Sequence, residues 1–140
     1  MKIVVDTNVT SELMRPAPAA RVREWVSATS PGDLFTTVIT LTEIRYGIER
    51  LPAGKRKNKF RLTADEIFES FASRVLPFDA AAAARYASIV DIREKSGQPI
   101  AGFAAQIASI CKTNNAKLAT RNTDDFKETG VELINPWGER

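Results

Sequence analysis

The sequence predicts an α/β fold with three layers, α/β/α, built around a small and mainly parallel sheet. Short segments rich in aliphatic and β-branched residues alternate along the chain with longer helical segments. Because helices separate most of the strands, those strands are expected to pair in parallel, with helices on both faces of the sheet. A length of 140 residues is enough for one core and too short for two, so we expect a single domain over residues 1–140.

The first half of the chain is predicted to hold two strands and three main helices. Aliphatic and β-branched residues favour strands over residues 2–5 and 34–39. Pro18 suits the first turn of a helix over residues 18–28, and Pro31-Gly32-Asp33 forms the turn before the second strand. Two further helices are predicted over residues 41–51 and 55–73, separated by Pro52-Ala53-Gly54.

The second half is predicted to hold three short strands and two helices. The strands cover residues 75–78, 117–120 and 131–134, and the helices cover residues 80–95 and 100–113. Asp79 suits the N-cap of the first of these helices, and Gly97-Gln98-Pro99 ends it. A polar connection over residues 122–130 separates the last two strands.

Composition excludes several classes of protein. Hydrophobic residues make up 44% and charged residues 26% of the chain, a typical balance for a soluble globular protein. No apolar run approaches the ~18 residues of a membrane span, and the short apolar start is unlike a signal peptide. The single cysteine, Cys111, fits a cytoplasmic location and reads as a buried apolar residue. The absence of His argues against a zinc site and against catalysis by imidazole.

The positive charge of the chain is concentrated in one segment. The net charge is +3, and six Lys or Arg residues fall between Arg50 and Arg61. Such a run is either a phosphate-binding patch or the solvated start of a helix, and the second interpretation is favoured for the run by itself.

Two carboxylates follow the first two strands directly. Asp6 comes after strand one, where it is equally suited to capping the next helix and to binding a ligand at the sheet edge. Glu43 lies three residues after Thr40, which is the spacing of a capping box, so Glu43 is expected to accept the backbone N–H of Thr40. The two acids nevertheless leave the same edge of the sheet and would lie over one crevice.

A third polar cluster, Asn122, Asp124 and Asp125, follows the strand that ends at Thr120. Asn and Asp favour turns, so a purely structural role is also open. Three strand ends that deliver oxygen atoms to one edge suit a hard divalent cation, Mg²⁺ or Mn²⁺.

Five motifs follow one another along the chain. They are Val4-Val5-Asp6-Thr7-Asn8 with Ser11-Glu12-Leu13, Leu41-Thr42-Glu43-Ile44-Arg45-Tyr46-Gly47-Ile48, Leu76-Pro77-Phe78-Asp79, Ala119-Thr120-Arg121-Asn122 with Asp125-Phe126, and Ile134-Asn135-Pro136-Trp137. In this order they resemble the PIN-domain ribonucleases, and specifically the VapC/FitB-type toxins of type II toxin–antitoxin pairs. The resemblance runs from Met1 to Trp137 and depends on all the motifs occurring in order.

The resemblance implies roles for particular residues. Asp6 and Glu43 correspond to acids that hold the catalytic metal, Asn122 to a variable Asp or Asn, and Asp125 lies close behind it. The family normally has a third acid in the helix after Gly-x-Pro-Ile, and Ala104 stands at that position here.

By the same resemblance, the protein is expected to be the toxin of such a pair, a metal-dependent endoribonuclease that acts on structured RNA such as tRNA. Its expected partners are a cognate antitoxin and an RNA substrate, and it is expected to form a homodimer or a higher toxin–antitoxin assembly. Ala104 predicts weak or absent activity and leaves open a catalytically dead module that binds the antitoxin and RNA. A nucleotide-binding domain is disfavoured because no Gly-rich phosphate loop follows strand one.

Overall fold

A five-stranded, wholly parallel sheet forms the centre of the protein, as seen in a computed structural model that describes residues 1–138. The last two residues of the expected domain, 139 and 140, lie outside the described residues. The strand order is β3-β2-β1-β4-β5. The strands are β1 (Ile3–Val5), β2 (Leu34–Thr37), β3 (Val75–Leu76), β4 (Lys117–Ala119) and β5 (Leu133–Ile134).

Within residues 1–138, six α-helices connect and cover these strands. Two short 3₁₀ turns, Pro31–Asp33 and Thr123–Phe126, lie before β2 and after β4. The helices are α1 (Thr7–Leu13), α2 (Ala20–Ala28), α3 (Val38–Glu49), α4 (Lys55–Phe71), α5 (Ala80–Lys95) and α6 (Gly102–Thr113). The predicted α/β/α architecture with a parallel sheet is confirmed.

The strand β1 lies in the middle of the sheet and contributes side chains to both faces. Val4 packs into a core with Ile107 of α6, whereas Ile3 and Val5 pack on the opposite face with Val22 of α2. This alternation follows from the two-residue period of a strand. Its consequence is that the backbone leading into Asp6 is fixed from both sides.

A separate apolar cluster joins α3 to α4. Ile44 and Ile48 of α3 pack against Ala64 and Phe68 of α4. The basic segment at the start of α4 is therefore carried by a helix that is anchored to α3.

The boundary between the second strand and the next helix differs from the prediction. The strand was expected to extend to residue 39, but β2 ends at Thr37 and α3 begins at Val38. Val38 and Ile39 are β-branched and favour strands locally, yet the cap formed by Thr37 places them in the first turn of a helix. Smaller differences occur at β3 and β5, which are each shorter than predicted, and at α6, which begins at Gly102.

No helix in residues 1–138 is long and apolar enough to cross a membrane.

Candidate metal and nucleic-acid site

The carboxyl ends of β1, β2 and β4 meet at one edge of the sheet, because the three strands are adjacent and parallel. A cleft of about 1040 Å³ opens at this edge. We refer to this space as the edge cleft. All five candidate site residues line it, namely Asp6, Glu43, Ala104, Asn122 and Asp125. The fold thus brings together residues that are far apart in the sequence, from Asp6 near its start to Asp125 near its end.

Asp6 lies at the base of the edge cleft and is only 6% exposed. Its Oδ1 accepts the backbone N–H of Thr7 at 2.8 Å, which caps α1. Its Oδ2 accepts the Thr120 hydroxyl at 2.8 Å. Asp6 is therefore a helix cap and, at the same time, a carboxylate that faces the cleft.

The electrostatic environment of Asp6 opposes its ionisation. Burial raises the pKa of Asp6 above its ordinary value, and the nearby carboxylates of Glu43 and Asp125 raise it further. The hydrogen bonds from Thr120 and Thr7 act in the opposite direction. A cation bound close to these carboxylates would stabilise the charged form of Asp6.

Glu43 does not form the predicted capping box. The N-cap of α3 is Thr37, whose hydroxyl oxygen accepts the N–H of Thr40 at 3.1 Å. Because α3 begins earlier than predicted, Glu43 lies in its second turn, too far along the helix to serve the N–H of Thr40. Its Oε1 instead accepts the Thr7 hydroxyl at 2.8 Å.

Thr7 links the two acids to each other. Its backbone N–H binds Asp6, and its hydroxyl binds Glu43 and lies 3.1 Å from the Thr40 hydroxyl. Thr7 and Thr120 both occur in the motifs noted in the sequence, but their roles were not predicted. These contacts join residues far apart in the chain, and no local spacing signals them.

Asn122 and Asp125 lie in the short turn that follows β4. The Asn122 N–H donates to the Thr120 hydroxyl at 3.1 Å, and the Asp125 N–H donates to the Asn122 carbonyl at 3.0 Å. Both side chains are exposed. Asn122 and Asp125 therefore form the turn that their residue types predicted, and they also line the edge cleft.

Ala104 lies on α6, at the cleft wall, and packs in part against the core. At this position α6 brings no carboxylate to the cleft. In the part of the chain that the structure describes, no three His, Cys, Asp or Glu side chains form a group that could hold a metal ion.

The donors in the edge cleft fit a hydrated divalent cation rather than a closed protein cage. The candidate ligands, which are Asp6, Glu43, Asn122 and Asp125, offer oxygen as the donor for such an ion. Mg²⁺ takes oxygen ligands, retains several waters and commonly uses one or two carboxylates. Cys111 is fully buried, and burial raises the pKa of its thiol, so it is neither a ligand nor a nucleophile here.

The basic segment between Arg50 and Arg61 is divided by its contacts. Lys57 and Arg61 both pair with Glu49. Arg56 lies over the Phe60 ring, at 5.4 Å from its centroid, and Phe60 lines the edge cleft. Part of the segment is thus a solvated helix face, as predicted, while Arg56 lies beside the cleft.

The chain belongs to the PIN domain family, whose sequence pattern matches residues 3–132. It is 38% identical over 136 residues to the VapC ribonuclease Y4jK of Sinorhizobium fredii, covering 96% of this chain and 97% of that protein. It is also 38% identical over 136 residues to the toxin FitB of Neisseria gonorrhoeae, covering 96% of this chain and 98% of that protein. The crystal structure of FitAcB from Neisseria gonorrhoeae is similar with a TM-score of 0.92 and 38% identity, covering 98% of this chain and 99% of that one.

Proposed function

We propose that this protein is the toxin of a type II toxin–antitoxin pair, with the active site of a Mg²⁺- or Mn²⁺-dependent endoribonuclease in the edge cleft. The observation that carries the proposal is the convergence of Asp6, Glu43 and Asp125 on one cleft at the carboxyl ends of the strands. Membership of the PIN family, and relatives named as a VapC ribonuclease and as toxin FitB, support a nuclease.

In this proposal Asp6, Glu43, Asn122 and Asp125 would hold a hydrated divalent cation, some of them through its bound waters, since no three acids of residues 1–138 form a direct ligand group. The chemistry that such a cation supplies is activation of water as a nucleophile and neutralisation of charge that develops on the phosphate. Thr120 and the Thr7 backbone fix the Asp6 carboxylate, and the Thr7 hydroxyl orients Glu43. The proposed reaction is hydrolysis of an RNA phosphodiester to a 3′-hydroxyl and a 5′-phosphate, with structured RNA such as tRNA as the substrate class.

The proposed partners are a cognate antitoxin, an RNA substrate and a second copy of the chain. The similarity of this chain to the toxin FitB and to the FitAcB structure supports an antitoxin partner for this chain. We place the protein in the cytoplasm, where its buried, unpaired cysteine stays reduced.

Ala104 is the basis for proposing that the nuclease is impaired in this chain. A carboxylate on α6 would face the cleft beside Asp6, Glu43 and Asp125, and alanine removes that charge. The second candidate function, an inactive PIN module that binds antitoxin and RNA, is favoured by this same observation.

The first prediction tests both candidates by restoring the missing acid. Ala104→Asp is expected to gain Mn²⁺ binding and Mn²⁺-dependent cleavage of a tRNA pool, because a further oxygen ligand stabilises the bound cation. Each ~1.4 kcal/mol gained at the transition state is tenfold in rate, so an increase of roughly 100-fold or more is expected. Cation binding is measured by calorimetry and cleavage by gel analysis of the RNA ends.

The matched control is Ala87→Asp, which adds the same charge on the exposed side of α5. It is expected to change neither property, and adding Asp6→Asn to Ala104→Asp is expected to abolish both. If Ala104→Asp binds no Mn²⁺ or Mg²⁺ and cleaves no RNA, the proposed nuclease is wrong. If the unaltered chain already cleaves as fast as Ala104→Asp, the proposed impairment is wrong.

A further inference from the structure

Arg93 is a buried cation outside the set of candidate site residues. It lies near the end of α5, is only 5% exposed and forms no ion pair with any residue in the described range 1–138. A buried charge is costly unless hydrogen bonds compensate for the lost water. The position of this side chain therefore needs a structural reason.

The guanidinium of Arg93 binds three backbone carbonyls that belong to two different loops. Its Nε donates to the Gln98 carbonyl at 2.6 Å. Its Nη1 donates to the carbonyl of Asp125 at 2.9 Å and to that of Lys127 at 2.8 Å. One side chain thus ties the loop before α6 to the turn after β4.

Both loops lead to the edge cleft. The first continues through Ala101, the N-cap of α6, to Ala104 on the cleft wall. The second carries Asp125 itself, whose backbone is otherwise held by its N–H bond to Asn122 and by the burial of Phe126 next to it. Arg93 is therefore the side chain that fixes the backbone of Asp125 relative to α6.

We propose that Arg93 is a positioning residue, which holds Asp125 and the start of α6 at the edge cleft and thereby sets the affinity of the cleft for a divalent cation. This inference rests on the proposed function. Mutation of a residue that holds a metal ligand in place by hydrogen bonds typically weakens metal binding by roughly 10–100-fold. A planar, forked guanidinium can serve three carbonyls at fixed angles, whereas the single ammonium of Lys cannot reproduce that geometry.

The first test compares Arg93→Lys and Arg93→Met with Arg85→Met, which removes an exposed arginine from the same helix. Mn²⁺ dissociation constants are measured by calorimetry in the Ala104→Asp background, with circular dichroism to check folding. Both Arg93 variants are expected to bind Mn²⁺ roughly 10–100-fold more weakly, and Arg85→Met to bind it normally. Normal affinity in a folded Arg93 variant would overturn the inference.

A double-mutant cycle with Asp125→Asn separates positioning from a general effect on the fold. If Arg93 acts through Asp125, then Arg93→Lys is expected to cause little further loss of Mn²⁺ affinity once Asp125 is changed. Fully additive losses would show that Arg93 does not act through Asp125. If the Ala104→Asp parent binds no Mn²⁺, the proposed function is wrong. If the parent binds Mn²⁺ and its affinity does not depend on Arg93, only the inference about Arg93 is wrong.

A spectroscopic measurement needs no change at Arg93. In a Mg²⁺ titration of the Ala104→Asp protein, the Nε–H resonance of Arg93 and the amide resonance of Asp125 are expected to shift with the same half-saturation. The Nε–H resonance of Arg85 is expected to stay unchanged. An Arg93 resonance that does not respond to Mg²⁺ while the Asp125 resonance does would also overturn the inference.

Discussion

The two shortest hydrogen bonds to the Asp6 carboxylate favour its charged form, whereas burial favours its neutral form. The bonds come from the Thr7 N–H and the Thr120 hydroxyl. Burial has the largest effect, and Glu43 and Asp125 add to it, so the pKa of Asp6 lies above its ordinary value of 3.8. A raised pKa in the folded state means that the folded protein binds a proton more readily than the unfolded chain does.

The second prediction is that Asp6→Asn becomes more stabilising, relative to the unaltered protein, as the pH rises from about 4 to about 8. Above its raised pKa, charged Asp6 lowers the free energy of unfolding, whereas Asn carries no charge and still caps α1. Urea unfolding across this pH range measures the difference. In the Ala104→Asp background, addition of Mg²⁺ is expected to reduce it, because a bound cation stabilises the charged carboxylate.

The control for this prediction is Glu66→Gln, which removes an exposed carboxylate from α4, away from the edge cleft. A stability difference between Asp6→Asn and the unaltered protein that is the same at every pH would contradict the raised pKa of Asp6.

At the scale of elements, the start of α3 decides where Glu43 lies. Thr37 ends β2 and caps α3, so the helix begins directly at the sheet edge with no loop between them. Glu43 then falls in the second turn and meets Thr7 of α1. A later start at residue 41, as the sequence predicted, would have used Glu43 as a cap.

The third prediction concerns this cap. Thr37→Ala is expected to lower the free energy of unfolding by about 1 kcal/mol more than Thr37→Ser, because only the serine keeps the hydroxyl that binds the Thr40 N–H. Both variants lose the same buried methyl group, so their difference isolates the cap. Equal denaturation midpoints for the two variants would show that the Thr37 hydroxyl does not stabilise α3.

The elements themselves were largely predictable from local sequence. The helices α4 and α5 begin directly after Gly54 and Asp79, and the bounds of both were placed within about two residues. The error at Val38 and Ile39 arose because short apolar, β-branched runs do not distinguish a buried strand from the first turn of a helix. By residue type Thr37 and Thr40 are equally plausible caps, and only Thr40 has a Glu at capping-box spacing, which favoured the wrong start for α3.

At the scale of the whole molecule, the parallel sheet creates the edge cleft from segments that are distant in sequence. The five candidate site residues on its wall were predicted from strand ends and from family resemblance, and the structure places them together. Their connections were not predictable. The bond between Asp6 and Thr120 spans 114 residues, and the bonds of Arg93 cross from a helix to two loops. Such contacts depend on strand order, which composition and periodicity do not specify.

The basic side chains near the edge cleft differ in whether a carboxylate already pairs with them. Lys57 and Arg61 are paired with Glu49. Arg121 follows β4 and lies 5.0 Å from the centre of the Trp137 ring. The pKa of the cleft residue Glu12 is lowered chiefly by the hydrogen bond from the Ala19 N–H, and the charges of Arg15 and Arg121 add to this effect. Arg121 is therefore an exposed cation beside the edge cleft, next in the chain to the cleft residue Asn122.

The fourth prediction is that Arg121→Gln weakens binding of RNA and lowers its dependence on salt. Each phosphate contact that is lost is expected to reduce the slope of log affinity against log salt by ~0.7, because fewer counterions are released from a single strand.

Arg61→Gln is the matched control, since Arg61 already has a carboxylate partner and its removal is expected to change the slope less. Fluorescence anisotropy with a labelled RNA at several salt concentrations measures both, and Ala104 keeps the RNA intact during the titration if the nuclease is impaired as proposed. If the salt slope falls equally in both variants, RNA affinity depends on the net charge of the protein alone, and the RNA does not contact Arg121.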